Sequence, residues 1–429
     1  IGSCAPSDLE HFSDRTCYAL QCCGAALLDS GDLVFIRDHT YLVPGDQCEG
    51  RTVADVWWGQ RGGVGPNDLY WGVNGAPWHD APPVNIRKVR FRDPVSPITM
   101  ENWFRWLPHL EEIDFAGMDA SRCSSMKDMC SASGDAPVSV RRVNLSGLSF
   151  DSLETIEGAF MCQGKLEQCD MTGLKAPVLT SAASAFKQTG LAKIDLSSVS
   201  APQLTDMRNM AEGGTWMARK YEDGEMTYDW DFYEAPLSEI LIGPEFGSVT
   251  QDVNCYQMLM NCKHLSSFDF DSLSHMKKID NLAQFACASG ITSLDLNPLN
   301  KISVKRMAKA FSECEQLTVV DASEWTGTPG MDTSELFYNC TSLREILCQV
   351  FDVEDNSYIP NNVNWKLMSC PAIEHIHVSR CLGQRQCLHY NGTWTLAGDS
   401  TARTADKAQN YMSLNAWTHD SFDWTCQFF

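Results

Sequence analysis

The sequence contains no long apolar run. None of its hydrophobic stretches approaches the roughly 18 residues that a membrane-spanning helix requires, so we expect no membrane span. Basic residues are also scarce: 33 Lys and Arg stand against 55 Asp and Glu, and the formal net charge is -22. Because the phosphates of nucleic acids require a basic surface, this balance argues against a nucleic-acid partner.

Motifs of the common catalytic machineries are missing as well. The chain has no Gly-x-Ser-x-Gly elbow, no His-Glu-x-x-His pair and no P-loop. Carboxylate pairs occur throughout so acidic a chain, so their presence marks no site. We therefore predict that the protein is not an enzyme.

Cysteine, in contrast, is abundant, although no Cys-x-x-Cys pair occurs among the 19 cysteines. This richness without metal-ligand spacing favours an oxidising, extracellular setting, in which the protein is secreted or held at the cell surface. The disulfide candidates lie towards the two ends of the chain: Cys4, Cys17, Cys22, Cys23, Cys48, Cys381, Cys387 and Cys426. Three sequons agree with this setting and make Asn144, Asn339 and Asn391 candidates for glycosylation.

The central part of the chain is a repeat. Units begin at Leu265, Ile291, Leu317 and Leu343, so each step is 26 residues. A constant period of this size is typical of a solenoid, in which each unit leaves an apolar face that its neighbour covers.

Two apolar rhythms within each unit predict its secondary structure. The opening residues, such as Leu265, Phe268 and Phe270, fit a short strand with one buried face. Apolar residues then recur every three to four positions, which predicts a short α or 3₁₀ helix behind the strand; they are Met276, Ile279, Leu282 and Phe285 in one unit and Val304, Met307, Ala310 and Phe311 in the next. We therefore predict an α/β solenoid of strand-turn-helix rungs.

Aligning the first apolar positions predicts eleven rungs, which begin at Ile86, Leu110, Val140, Leu166, Leu191, Leu237, Leu265, Ile291, Leu317, Leu343 and Ile373. We expect three regions: a cysteine-rich β cap with aromatic loops over residues 1–84, the solenoid over 85–380, and a β-rich C-terminal cap over 381–429. In the first region, a turn at 29–32 separates two apolar runs and predicts a β-hairpin. Its aromatic residues Trp57, Trp58, Tyr70, Trp71 and Trp78 either seal the end of the core, which we favour, or form a sugar-stacking platform.

One long insertion interrupts the period at residues 212–236. Its acidic and aromatic residues include Tyr221, Asp223, Tyr228, Trp230 and Asp231. Because insertions leave a stacked core intact, we expect this segment to leave the solenoid as a loop. A recognition loop and a solvated excursion fit its composition equally well.

If the strands stack in register, the fifth strand position forms an outward column. This column contains Asp114, Asp170, Asp195, Asp269, Asp295 and Asp321. Since like charges in adjacent strands are destabilising, the column requires an explanation. We favour hydrogen bonds from each Asp to the backbone of the following turn; the alternative is an acidic stripe that binds Ca²⁺ or a basic partner.

A metal centre is not predicted elsewhere. Cys370, His375, His377 and Cys381 form a cluster in the linear sequence, but both histidines fall on outward positions of one strand. Most cysteines of the repeats are expected to be buried apolar residues, with local bridges between Cys123 and Cys130 or between Cys255 and Cys262 as the alternative. We expect no cofactor, except Ca²⁺ on the outward Asp residues under the alternative above.

These repeats resemble the BspA-like leucine-rich-repeat family of cell-surface proteins. The resemblance rests on LAKIDLSSVSAPQLTDMRNM from Leu191, LTVVDASEW with SELFYNCTSL, and FRWLPHLEEID from Phe104 to Asp114, and it covers residues 86–380. It implies an extracellular protein that acts by adhesion or by binding a protein or a glycan. It implies no catalytic site.

We therefore expect a non-catalytic extracellular protein that binds another protein or a glycan through its concave sheet face and the insertion. The alternative is a structural subunit that assembles with copies of itself into a fibre, filament or surface coat.

Overall fold

A computed structural model of the chain describes most of residues 22–348 and short strands beyond them. The described ranges are 22–38, 42–59, 68–69, 76–79, 85–133, 138–222, 225–325, 327–328, 331–348, 370–372, 375–378, 387–388, 393–396, 403–404, 412–413 and 422–427.

The molecule is a β-solenoid of about 9 turns with a period near 26 residues, divided between two compact units. The first unit comprises Ile1–Gln203 and Thr215–Glu234, and the second comprises Leu204–Gly214 and Ala235–Phe429. The eleven rungs predicted from the apolar positions thus overestimate the number of turns, whereas the solenoid and its period are confirmed.

The described residues of the first unit form thirteen short strands. They are β1 (Cys22–Leu28), β2 (Asp32–Asp38), β3 (Gln47–Cys48), β4 (Arg51–Trp58), β5 (Asp68–Leu69), β6 (Lys88–Phe91), β7 (Ser96–Pro97), β8 (Glu112–Asp114), β9 (Arg142–Asn144), β10 (Gln168–Asp170), β11 (Lys193–Leu196), β12 (Thr215–Glu222) and β13 (Glu225–Glu234). Strands β6, β8, β9 and β10 pair in parallel, one from each coil.

The N-terminal hairpin is confirmed and continues the solenoid sheet. Strands β1 and β2 pair antiparallel across the turn at 29–31, and β2 then pairs in parallel with β6. One eight-stranded sheet results, in the order β10-β9-β8-β6-β2-β1-β4-β3. The hairpin therefore covers the edge that the first coil of the solenoid would otherwise expose.

Aromatic side chains fill the core beneath this hairpin. Trp78 is buried, and its indole Nε1 donates a 2.7 Å hydrogen bond to the Trp103 carbonyl. Its ring stacks on Phe104 and meets Phe35 and Trp103 edge to face. Trp78 thus packs in the core, as the sealing interpretation expects; Tyr70 and Trp71 lie outside the described residues.

The second unit repeats the same design. Its strands are β14 (Glu239–Ile242), β15 (Val253–Asn254), β16 (Lys278–Asn281), β17 (Ser293–Asp295), β18 (Ser303–Arg306), β19 (Val319–Ala322), β20 (Glu345–Cys348), β21 (His375–Val378), β22 (Cys387–Leu388), β23 (Thr393–Leu396), β24 (Arg403–Thr404), β25 (Met412–Ser413) and β26 (Phe422–Gln427). Strands β17, β19, β20 and β21 form a parallel ladder, which β26, β23 and β24 extend antiparallel. Beyond residue 381 the described residues all lie in these short strands.

The predicted helices are wrong. Among the described residues there is no α-helix, and the 3₁₀ helices at Pro77–His79, Phe270–Leu273 and Asn297–Lys301 lie outside the predicted helical segments. The segment from Met276 to Phe285 instead forms strand β16 followed by a run of turns, and strand β18 lies at the equivalent place one coil later.

Consecutive turns replace the helix, and their amides donate alternately to two kinds of acceptor. Within residues 284–289, every second N–H bonds the next coil: Gln284 to Ala308 O, Ala286 to Ala310 O and Ala288 to Ser312 O, at 2.7–2.9 Å. The intervening amides bond the carbonyl three residues back: Phe285 to Leu282 O, Cys287 to Gln284 O and Ser289 to Ala286 O, at 3.1–3.3 Å. Inward residues consequently recur about every three positions, which mimics the helical rhythm.

The insertion at 212–236 is a β-hairpin. Strands β12 and β13 pair antiparallel from Thr215 with Glu234 to Glu222 with Glu225, and Ala235 N closes the base on Gly214 O at 3.0 Å. The register shifts between Met217 and Ala218. The predicted excursion from the coil thus has regular backbone pairing.

Close contact between coils leaves no room for a side chain at certain glycines. Gly290 N donates a 2.9 Å hydrogen bond to Cys262 O in the preceding coil, and a Cβ at Gly290 would lie 2.0 Å from the Lys263 carbonyl oxygen. In the first unit, a Cβ at Gly190 would likewise lie 2.3 Å from the Gly164 carbonyl oxygen. A larger residue at either position must push two coils apart.

We predict that Gly290→Ala lowers the stability of the protein by about 3 kcal/mol, because the methyl group overlaps a backbone carbonyl that cannot move alone. Gly173→Ala is the matched control: it has positive φ but nothing within 4 Å of the added Cβ, so we expect a loss of only about 1 kcal/mol. Chemical denaturation followed by circular dichroism measures both. Equal losses in the two variants would contradict the close-contact argument.

Candidate functional site

The outward Asp column exists as a row of register-matched residues in each unit. Parallel pairing aligns Asp114 with Asn144 and Asn144 with Asp170 in the first unit, and Asp295 with Asp321 in the second. Asp170, Asp195, Asp269 and Asp295 are exposed, while Asp114 and Asp321 are half-buried. The fifth strand position therefore faces outward, as the sequence predicts.

Each of the six Asp residues accepts a hydrogen bond from the backbone N–H two residues later. The acceptor is Oδ1 in every case, and the pairs are Asp114 with Ala116 (3.0 Å), Asp170 with Thr172 (2.9 Å), Asp195 with Ser197 (3.1 Å), Asp269 with Asp271 (2.9 Å), Asp295 with Asn297 (2.9 Å) and Asp321 with Ser323 (3.0 Å). The favoured explanation for this column, in which each Asp closes the turn after its strand, is confirmed.

 The six carboxylates are therefore held in fixed positions by the backbone.

Amide side chains separate some of these like charges. Asn144 Nδ2 donates to Asp114 Oδ1 at 2.9 Å, and Asn297 Nδ2 donates to Asp321 Oδ1 at 3.1 Å. Lys193 lies 3.6 Å from Asp195. Asp170, Asp269 and Asp295 form no ion pair with any described residue, so their charge faces solvent.

Hydrogen bonding lowers the pKa of two members of the column. The Ser197 hydroxyl and backbone N–H, with Lys193 nearby, lower the pKa of Asp195 below its usual value, against a smaller opposing effect of burial. At Asp321, desolvation acts to raise the pKa, but bonds from Ser323 and Asn297 outweigh it and the pKa is lowered. Both groups are ionised at neutral pH.

A second column of capping residues, which the sequence analysis missed, lies along the other set of parallel pairings between coils. In the second unit this set includes β15, β16 and β18. Its members accept from the N–H two residues later, as the first column does: Ser125, Thr155 and Ser181 in the first unit, and Asp206, Asn254, Asn281 and Asp332 in the second. The recurrence of Ser, Thr, Asn or Asp just before each run of turns was the signal that could have revealed it.

The outward surfaces around the Asp column differ between the two units. In the first unit, charges of opposite sign pair across coils: Lys88 with Glu112 at 3.2 Å, and Arg141 with Glu167 at 2.7 Å. In the second unit five of the equivalent positions carry hydroxyls, namely Ser266, Ser267, Thr292, Ser293 and Thr318, whereas others, such as Val319, Arg344 and Glu345, do not. Asp269 and Asp295 thus stand beside hydroxyl groups.

The other predicted binding residues belong to the inserted hairpin. Tyr221 lies in β12, opposite Met226, and Tyr228 lies in β13, opposite Arg219. Trp230 and Asp231 fall between the paired residues Asp229 and Phe232, where the register shifts. Asp223 lies outside the described residues.

The disulfide and glycosylation candidates are described in part. Cys48 is buried, with Arg92 Nη1 3.6 Å from its sulfur, and it forms no disulfide with a described residue. Cys22 and Cys23 lie in β1. In the antiparallel strands near the C-terminus, Cys387 lies opposite Ser413 and Cys426 lies opposite Trp394. Asn144 lies in β9 and Asn339 in a run of turns. Cys4, Cys17, Cys381 and Asn391 lie outside the described residues.

The cysteines of the repeats are buried, as expected. Cys123, Cys130, Cys255 and Cys262 are inaccessible to solvent, and neither of the two local bridges considered for them is formed. Burial raises the pKa of Cys123, Cys255 and Cys262 to about 12. These thiols are protonated at neutral pH and serve as small apolar residues.

No group of three or more His, Cys, Asp or Glu side chains within the described residues is arranged to hold a metal ion. His375 and His377 occupy alternate positions of β21, opposite Glu345 and Leu347 of the preceding coil. No helix in the described part of the chain is long and apolar enough to cross a bilayer.

No family model, curated protein or solved structure matches this chain. The resemblance to the BspA-like family therefore remains a prediction from the repeated residues.

We predict that acid destabilises the protein as the Asp column becomes protonated. The folded-state pKa values of Asp195 and Asp321 are lowered, so their contribution to stability is complete above the unfolded-state pKa near 4 and is lost as the pH falls below it. The melting temperature should therefore stay level between about pH 7 and 5 and then fall.

The double variant Asp195→Asn, Asp321→Asn tests this assignment. Asn retains an oxygen that caps the turn but does not titrate, so the melting temperature of the variant should fall less steeply below about pH 4. Asp151→Asn is a control at an Asp outside the column. If the double variant and wild type lose stability in parallel, the two carboxylates do not contribute to the acid transition.

Proposed function

We propose that this chain is a non-catalytic, extracellular binding protein of the BspA-like leucine-rich-repeat type, which recognises a protein or a glycan through the outward face of its parallel strands. The observation that carries the proposal is the exposure and fixed position of two carboxylates of the Asp column in the second unit. Asp269 and Asp295 are exposed, are held on one oxygen by the backbone, and form no ion pair with a described residue.

Fixed carboxylates favour binding because a ligand need not immobilise them. Ordering a flexible side chain at an interface costs about 0.5–1.5 kcal/mol, and here the turn has already ordered the Asp side chains. The neighbouring Ser and Thr hydroxyls add donors and acceptors along the same strands. Such a surface suits the cationic side chains of a protein or the hydroxyl groups of a glycan.

The first unit is less suited to this role. Glu112 contacts both Lys88, at 3.2 Å, and Arg142, at 3.6 Å, so much of the charge on its outward face is already neutralised within the protein. A ligand would have to replace these ion pairs. We therefore place the principal binding surface on the second unit.

The triple variant Asp269→Asn, Asp295→Asn, Asp321→Asn tests this surface. Asn preserves the caps, so the melting temperature at pH 7 should fall only by the contribution of the Asp321 charge, whereas the Kd for the bound ligand should rise about tenfold or more because three charges are lost. Ligands are first sought with wild-type protein on a printed glycan array and on immobilised matrix proteins, and Kd is then measured by surface plasmon resonance.

Asp332→Asn is the matched control, since Asp332 caps a turn in the second column, where we propose no binding. Its Kd should equal that of wild type. An unchanged Kd in the triple variant would reject the proposed face, and so would an equal loss in the control.

The alternative function, self-assembly into a fibre or coat, is favoured by the inserted hairpin. Strands β12 and β13 form a sheet of two strands, in which neither outer edge is paired with another described strand. Unpaired edges are templates for strands of another chain. Monodisperse particles at every concentration, seen by electron microscopy of protein purified without detergent, would exclude this alternative.

A further inference from the structure

One buried column in the second unit brings cysteines of successive coils together. It lies just before the start of each outward strand and consists of Cys262, Ser289, Cys314, Cys340 and Cys370, all of which are buried. We refer to these five residues as the Cys column. The sequence analysis expected most cysteines of the repeats to be buried apolar residues and considered no bond between coils.

The thiols of this column bond the backbone of the preceding coil. Each Sγ donates to one carbonyl: Cys262 to Ala211 O at 3.2 Å, Cys314 to Ala286 O at 3.2 Å, Cys340 to Phe311 O at 3.1 Å and Cys370 to Phe337 O at 3.1 Å. The repeated contact shows that the four thiols occupy equivalent positions in their coils.

A shared carbonyl shows how close Cys340 and Cys370 lie. Phe337 O accepts the backbone N–H of Cys340 at 3.3 Å and the thiol of Cys370 at 3.1 Å. Two coil pairs earlier, Ala286 O accepts in the same way from Ser289 N and Cys314 Sγ, both at 3.2 Å.

The earlier pair supplies a direct measure of side-chain separation. Ser289 Oγ and Cys314 Sγ are 3.4 Å apart. The side chains of Cys340 and Cys370 are likewise hydrogen-bonded to each other. Equivalent Cα atoms in adjacent paired strands are about 5 Å apart, which is within the range that a disulfide spans.

We propose that Cys340 and Cys370 are the sites of an inter-coil disulfide, which forms when the chain folds in the presence of a small-molecule disulfide as oxidant. The bond joins two cysteines that are 30 positions apart in the chain, and it fastens the coil that contains Cys370 to the coil before it. This inference goes beyond the proposed binding function and does not depend on it.

The reaction is two thiol–disulfide exchanges. One cysteine thiolate attacks a sulfur of the small disulfide, forms a mixed disulfide and expels one small thiolate. The second cysteine thiolate then attacks the protein sulfur of the mixed disulfide, and the second small thiolate leaves. The two cysteines are oxidised, the small disulfide is reduced to two thiols, and the two protons pass from the cysteines to those thiols.

The burial of the Cys column determines the stage at which the disulfide forms. The hydrogen bond with Cys370 and desolvation hold the pKa of Cys340 well above its usual value. Since the thiolate is the nucleophile, the folded and reduced protein reacts slowly with an oxidant. The bond therefore forms during folding or when the terminal coils open, and burial afterwards protects it from reductants.

Cys340 has a second neighbour in the column, Cys314. That thiol already contacts the Ser289 hydroxyl as well as the Ala286 carbonyl, whereas the side chain of Cys340 is hydrogen-bonded to Cys370. The geometry therefore favours Cys370 over Cys314 as the partner.

The test uses the full chain, refolded from the reduced, unfolded state in a buffer of oxidised and reduced glutathione. Remaining thiols are alkylated under denaturing conditions, and peptides are mapped without reduction. We expect a peptide pair joined through Cys340 and Cys370, with a mass lower by two hydrogen atoms than the sum of the separate peptides. Recovery of both cysteines as alkylated thiols would overturn the proposal, and so would a link between Cys314 and Cys340.

Variants provide an independent readout. The oxidised protein should melt about 5 °C or more above the reduced protein, because the bond restricts the unfolded chain, and Cys370→Ser should remove the part of this difference that the Cys340–Cys370 bond supplies. Cys262→Ser is the matched control. Cys262 belongs to the same column, but the next member of the column is Ser289 rather than a cysteine. The variant should therefore retain the full difference in melting temperature. A wild-type melting temperature that does not depend on oxidation would contradict the proposal even if a variant failed to fold.

Discussion

Hydrogen bonding between successive coils is the interaction on which the rest of this structure depends. In the parallel ladders it takes the usual form of strand pairing, and in the runs of turns it uses every second amide. The remaining amides close turns within their own coil. Because nearly every backbone donor in these segments thereby finds an acceptor, the chain can be buried in the absence of helices.

This arrangement imposes conditions on particular residues. The runs of turns require a positive φ at every fourth position, as at Gln284 and Ala288, and the strain is tolerated because both neighbouring coils hold the backbone in place. The close approach of coils requires Gly290. The ends of both ladders require a side-chain acceptor, which the Asp column supplies on one side and a mixed Ser, Thr, Asn and Asp column supplies on the other.

The same stacking gives rise to the surface and the covalent chemistry that we propose. A side chain that closes a turn is held at a fixed place on the outward face, so the capping Asp residues are both structural and available to a ligand. Equivalent inward positions meet their counterparts about one strand spacing away, which brings Cys340 next to Cys370. Packing and proposed function thus share one cause, the in-register repetition of a coil.

The sequence by itself determined the solenoid, its period, the hairpin at 29–32 and the outward position of the Asp column, because these follow from spacings that recur many times along the chain. Spacing could not distinguish a helix from a run of turns, since Ile279, Leu282 and Phe285 point inward with a period of three in either case. Only the tertiary structure decided this point: the amides of Gln284 and Ala286 bond the next coil, and an acceptor 24 residues away leaves no local trace in the sequence. The contrast between the ion-paired face of the first unit and the hydroxyl-rich face of the second, and the contact of Cys340 with Cys370, likewise depend on which residues the stacking of coils brings together.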